Sequence, residues 1–106
     1  MRKVKVKICG LKRAQDIECV NRLLPDYIGF VFAKTKREVT EQQVAQLKAM
    51  LNPQIKAVGV FVNAEIDKII RLAKSRTIDI IQLHGDEDAA YCERLRLQTE
   101  LPIIKA

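Results

Sequence analysis

The chain has 106 residues, 48% of them hydrophobic and 30% charged, the balance of one globular domain at most rather than a disordered segment. Its apolar runs stop at the length of Ala57–Val62, far short of the roughly 20 residues that a membrane-spanning helix needs. Lysine and arginine total 19 against 13 acidic residues, and the net charge of +6 favours an anionic partner without choosing between nucleic acid, a membrane surface and a small phosphorylated metabolite.

The N-terminus alternates charge and valine from Arg2 to Lys7 and has no signal-peptide core, so a cytoplasmic protein is expected. Val4 to Ile8 has period two and predicts a first strand. Helical spacing then puts Ile17, Val20, Leu23 and Leu24 on one face, and Pro25 ends the run. Tyr27 to Phe32 predicts a second strand. Thr40-Glu41-Gln42-Gln43 is a capping box that opens a helix with Val44, Leu47 and Leu51 on its inner face, stopped by Asn52-Pro53. Lys56 to Val62 predicts the third strand, and Asn63 is placed to cap a helix that buries Ile66, Ile69, Ile70 and Ala73. Ile78 to Leu83 predicts the fourth strand, a helix over roughly Asp88–Leu97 follows, and Leu101 to Ala106 begins a fifth strand.

Strands alternating with helices imply parallel pairing through right-handed crossovers. The strand centres fall near 6, 29, 59, 81 and 104. Their spacing is about 25 residues, so eight such units would take roughly 200 residues, the lower size range of a β/α barrel. Four units and an incipient strand fit half a barrel whose chain is cut short. They fit equally a complete, five-stranded doubly wound domain.

In either fold the chemistry belongs where strands end and loops begin. Cys9-Gly10, the segment Ala33–Arg37, Asn63 and His84-Gly85-Asp86 occupy those places. On the first strand Val4, Val6 and Ile8 share one face, which suits helix packing, and Lys5, Lys7 and Cys9 share the other. A thiol in line with two ammonium groups is drawn toward thiolate, a base or nucleophile; the plainer alternative is a buried structural cysteine. His84, the single histidine, lies on the same strand face as Gln82, either lining a cleft or held by loop hydrogen bonds. Arg37 closes the basic run Lys34-Thr35-Lys36-Arg37, either a solvated surface or a guanidinium clamp for a carboxylate.

The three cysteines, Cys9, Cys19 and Cys92, form no C-x-x-C pair, so neither a disulfide framework nor a zinc site is indicated. No glycine-rich phosphate loop is present, and scattered basic residues with few aromatics give no stacking platform for nucleic acid.

Four strand-end motifs occur in order: Lys7-Ile8-Cys9-Gly10-Leu11, Gly29-Phe30-Val31-Phe32 with Lys36-Arg37, Val58-Gly59-Val60-Phe61-Val62-Asn63, and Gln82-Leu83-His84-Gly85-Asp86-Glu87. Together with Ile103-Ile104-Lys105-Ala106 they resemble the N-(5′-phosphoribosyl)anthranilate isomerase family of tryptophan biosynthesis, over essentially the whole chain. The resemblance implies an α/β fold: the N-terminal half, (βα)4 plus the start of strand five, of a (β/α)8 TIM barrel, with residues 1–106 as one partial domain. It implies an Amadori rearrangement of phosphoribosylanthranilate to the carboxyphenylamino-deoxyribulose phosphate, without metal or organic cofactor. Cys9 takes the family's general-base position, and Arg37 the place that holds the anthranilate carboxylate. Gln82 and His84 line the substrate site.

Thr35-Lys36 stands where the family often has Ser-Pro or Ser-Lys, and Lys12 where it often has Thr. The family's general acid, an aspartate near the end of strand six, and its phosphate loops after strands seven and eight have no counterpart in these residues. The expectation is therefore an isomerase sequence that is inactive as this chain alone. Its expected partners are a phosphorylated small molecule and either a C-terminal half or a second copy meeting the exposed sheet edges, with no nucleic acid or membrane. The competing expectation is a non-catalytic half-barrel or flavodoxin-like assembly module.

Overall fold

The computed structural model describes residues 7–32 and 39–105, with residues 7–9 described by their backbone. The predicted strand residues Val4, Lys5 and Val6, the basic run Lys34–Arg37 and Ala106 lie outside the described residues. Nine elements alternate in the predicted order: β1 (Lys7–Cys9), α1 (Ala14–Leu23), β2 (Tyr27–Val31), α2 (Glu41–Met50), β3 (Lys56–Phe61), α3 (Ile66–Lys74), β4 (Ile80–Leu83), α4 (Ala89–Arg96) and β5 (Ile103–Lys105).

All four strand pairings are parallel, and the sheet order is β1-β2-β3-β4-β5. Each strand lies beside its predecessor. A doubly wound sheet reverses direction at a switch point and carries helices on both faces. Here one contiguous core joins Ile17 and Val20 of α1, Val44 and Leu47 of α2, Ile69 and Leu72 of α3 and Leu95 of α4 to one face of the sheet. That face presents Ile28, Phe30, Ala57, Phe61, Ile81 and Leu83. The winding is therefore single, as in a β/α barrel, and the doubly wound alternative is excluded.

The register follows from side-chain parity. Gly29 aligns with Val58 and Ile80, and Val31 with Val60, Gln82 and Ile104. These positions form the second face, away from the helices. Val58 and Val60 are buried there although they stand outside the helix-side core. Ile8 pairs with Ile28 and so occupies a helix-side position in the register, as its alternation with Lys7 and Cys9 implied.

The capping box of α2 forms as read: the Thr40 hydroxyl accepts from the Gln43 N–H at 3.1 Å, and the Gln43 side chain accepts from the Thr40 N–H at 3.2 Å. Two expectations are corrected. Leu23 and Leu24 are exposed, because α1 ends at Leu23 and Leu24 takes a left-handed conformation (φ 50°) that turns the chain toward β2 before either residue reaches the core. On α3 it is Leu72, not Ala73, that is fully buried beside Ile69 and Ile70. At the amino-terminal end of the sheet, the Asp79 carboxylate accepts from the Ala57 N–H at 2.8 Å and meets the Lys48 ammonium at 3.4 Å, tying β3, the start of β4 and α2 together.

Candidate active site

β1 ends on Cys9, and Gly10 turns the chain immediately after it with φ 85°, a left-handed value that glycine adopts without strain. The N–H groups of Gly10 and Leu11 both donate to the Gly29 carbonyl, at 2.9 and 3.4 Å. Cys9 pairs in register with Gly29, then Val58 and Ile80, so the neighbour beside it across β2 carries no side chain. Arg37 lies outside the described residues. The residues that flank its segment are anchored at the carboxyl end of β2: Phe32 N–H donates to the Val60 carbonyl at 2.8 Å, and Val39 N–H to the Val31 carbonyl at 3.0 Å.

Gln82 stands in the next layer with Val31, Val60 and Ile104. His84 follows just past the last paired residue, Leu83, with its N–H donating to the Phe61 carbonyl at 2.8 Å and its imidazole exposed. The structure thus brings the backbone position of Cys9, Gln82 and His84 to the carboxyl edge of one sheet.

Beside them lies a polar cluster only partly legible in the sequence. Asn63 does not cap α3; that helix starts at Ile66 with Glu65 at its N-cap. Asn63 is left-handed instead (φ 49°), which asparagine tolerates better than most residues, and its side-chain oxygen accepts from the Asp86 N–H at 3.0 Å. The Glu87 carboxylate, fully buried, accepts from the N–H groups of Asn63 (2.8 Å) and Gly85 (2.9 Å) and from the Lys105 ammonium (3.2 Å). Lys105 also donates to the Gly85 carbonyl at 2.5 Å. Burial alone would push the Glu87 pKa up, but the hydrogen bonds from Asn63, its own backbone, Lys105 and Gly85 together hold it below its ordinary value. The same carboxylate adds to burial in raising the Tyr91 phenol, whose hydroxyl donates to the Ala64 carbonyl at 2.6 Å. A Cβ on Gly85 would sit 2.9 Å from Asn63 Oδ1, so the two loops pack too closely for any side chain there. Asn63, Gly85 and Asp86 stood out in the sequence as strand-end residues, but nothing there marked Glu87 as buried or joined it to Lys105.

Among the described residues no group of three or more His, Cys, Asp or Glu side chains could hold a metal ion, and no helix is long and apolar enough to cross a membrane. A cavity of about 420 Å³ lies at the opposite end of the sheet, between Pro25, Tyr27, Ile55 and Lys56, remote from the strand carboxyl ends.

The sequence model of N-(5′-phosphoribosyl)anthranilate (PRA) isomerase matches residues 6–106. The chain belongs to the PRA isomerase family. It is 48% identical over 103 residues to N-(5′-phosphoribosyl)anthranilate isomerase of Lachnoclostridium phytofermentans, a match covering 97% of this chain and 47% of that protein. It is 50% identical over 103 residues to the Clostridium kluyveri isomerase, covering 97% of this chain and 50% of that one. Among solved structures, a monomer form of the dimeric isomerase from Thermotoga maritima superposes with TM-score 0.85 at 34% identity, over 96% of this chain and 52% of that chain. A PRA isomerase in complex with reduced 1-(o-carboxyphenylamino)-1-deoxyribulose 5-phosphate superposes with TM-score 0.83 at 33% identity, over 96% and 52%. The chain spans about half the length of the relatives it matches. Its parallel, singly wound sheet is the N-terminal half of the PRA isomerase barrel.

Proposed function

We propose that this chain carries the general base and part of the substrate site of a PRA isomerase, acting in the cytoplasm within tryptophan biosynthesis. The reaction is the Amadori rearrangement of N-(5-phosphoribosyl)anthranilate to 1-(2-carboxyphenylamino)-1-deoxyribulose 5-phosphate. Cys9 as thiolate takes the proton from C2′ of the ring-opened Schiff base. The electron pair of that C–H bond becomes the C1′–C2′ double bond, and the iminium nitrogen recovers its lone pair. Reprotonation at C1′ and collapse of the enol to a C2′ ketone complete the rearrangement. Arg37 holds the anthranilate carboxylate, a role that a planar guanidinium fills with two parallel hydrogen bonds. Gln82 and His84 line the same mouth. No group here is assigned to protonate the ring oxygen.

The observation that supports this reading most is the family match over residues 6–106, with Cys9 as the last residue of β1, Gln82 in β4 and His84 just after it. The ligand of the solved relative is an anionic carboxyphenylamino sugar phosphate, chemistry that suits a chain of net charge +6.

Residues 1–106 read as one partial barrel domain. The exposed Ile104 on the second sheet face and the outer edges of β1 and β5, which pair with no other strand among the described residues, are surfaces that a complementary half or a second copy would cover.

The test is an anthranilate-fluorescence turnover assay on the full gene product. Cys9→Ser should lower kcat by about 100-fold or more, the span of general-base catalysis. Wild-type turnover by Cys9→Ser would refute the assignment. A polypeptide of these 106 residues alone should be inactive, and should gain activity when a complementary C-terminal half is added in trans.

A further inference from the structure

Glu87 presents a buried charge that the proposed chemistry does not use. Its carboxylate has no exposed surface, and it stands two residues beyond Gly85 and three beyond His84. Burying a carboxylate is costly unless its lone pairs are filled by strong donors. Here three are, and each comes from a different segment: Asn63 after β3, Gly85 after β4, and Lys105 in β5. The tie runs both ways, because Asn63 Oδ1 accepts from the Asp86 N–H. Lys105 grips Gly85 on its other side through the carbonyl.

His84 sits at the hinge of this arrangement. Its backbone N–H is held by Phe61, and the next residue, Gly85, is held at both its N–H and its carbonyl. Its exposed imidazole makes no hydrogen bond to another described residue. The direction of its Cα–Cβ bond is set by the backbone at 84–85, and that backbone is held by Glu87 and Lys105 through Gly85.

We propose that Glu87 and Lys105 are a pair of positioning residues that lock the loops after β3 and β4 together and so fix His84 at the mouth of the barrel. The proposal rests on the isomerase reading for its catalytic consequence, and on geometry alone for its effect on the loops. Glutamine at 87 keeps the shape but turns one acceptor into an N–H2 group facing a donor, so at least one of the loop amides loses its partner.

The experiment uses the full gene product as wild type, Glu87→Gln, Lys105→Met, Lys105→Arg and the exposed α4 control Glu93→Gln. Amide exchange is followed at Gly85, Asn63 and, as a core reference, Val58. The His84 Cε1–H resonance is recorded at fixed pH, and kcat and KM are taken from anthranilate fluorescence. Glu87→Gln and Lys105→Met should speed exchange at Gly85 and Asn63 at least tenfold with Val58 unchanged, and should move the His84 resonance. They should lower kcat at least tenfold with KM within threefold, the mark of lost orientation rather than lost binding. Lys105→Arg should recover most of kcat.

Unchanged exchange and an unmoved His84 resonance in Glu87→Gln overturn the proposal. So does a kcat within twofold of wild type when Cys9→Ser is inactive. If the wild type turns over no substrate, the isomerase reading falls, and the exchange and His84 signals still decide the loop lock. If Glu87→Gln does not fold, Lys105→Met decides by the same criteria.

Discussion

Gly59→Ala should destabilise this protein, although a strand interior ordinarily prefers alanine to glycine. Gly59 lies on the helix side of β3, in register between Phe30 and Ile81, both fully buried. The space that its missing side chain leaves is already filled. An added Cβ would lie 2.9 Å from Phe61 Cε2 and 3.0 Å from both Ile78 Cδ1 and Ile78 Cγ2. Carbon atoms rest about 3.5–4.0 Å apart, so each neighbour must retreat by roughly half an ångström. Neither has room. The Phe61 ring stacks on Phe32 with centroids 5.1 Å apart and planes 9° from parallel, and Ile78 is buried. Overpacking of this kind costs about 1–3 kcal/mol, and the stiffer unfolded chain offsets about 0.4–1 kcal/mol. The net expectation is a loss of about 1–2 kcal/mol, a large share of a domain's stability. Urea unfolding followed by far-UV circular dichroism should show a lower midpoint at unchanged slope. In a Phe61→Leu background the same substitution should cost less, because the ring it strikes is gone. Equal or higher stability of Gly59→Ala, or full additivity with Phe61→Leu, would refute the packing argument.

Thr40→Ala removes the side-chain acceptor for the Gln43 N–H and should cost about 1 kcal/mol in the same urea assay, with Thr40→Ser near wild type. Asn63→Ala should be more destabilising than Asn63→Gly. Both lose the bond to the Asp86 N–H, but only alanine also meets the left-handed backbone with a Cβ, a strain of about 1–2 kcal/mol. Acid should weaken the fold through Glu87. Its folded pKa lies below the ordinary value of 4.5, so the unfolded chain binds the proton more readily. The stabilisation is complete above that value and is lost as pH falls through the lowered folded pKa. Stability profiles of wild type and Glu87→Gln should therefore converge on acidification, whereas a constant gap between them would contradict the linkage.

Much of the architecture was legible from residue patterns because each pattern has a local cause. Short apolar runs such as Lys56–Phe61 and the Thr40–Gln43 box act through neighbours a few residues away, and both formed. The site was legible only in part. Strand parity put Gln82 and His84 on one face; the register reaches Gln82 and ends at Leu83, one residue before His84. Leu23 and Leu24 misled because apolar spacing says nothing of where a left-handed residue will end the helix. Asn63 misled because a residue with capping chemistry found a partner 23 positions away, at Asp86, instead of on the helix that follows it.

Amphipathic periodicity was enough to make strands and helices alternate and to give each an inner face, because burial of an apolar stripe is decided within one element. Which strand lies beside which is decided between elements, and the same local pattern is compatible with single or double winding. Only the assembled sheet, with its sequential order and helices on one side, chose the barrel half. The buried Glu87 likewise depends on donors from three separate loops and strands, and a carboxylate can be buried only once the folded chain has brought all of them to it.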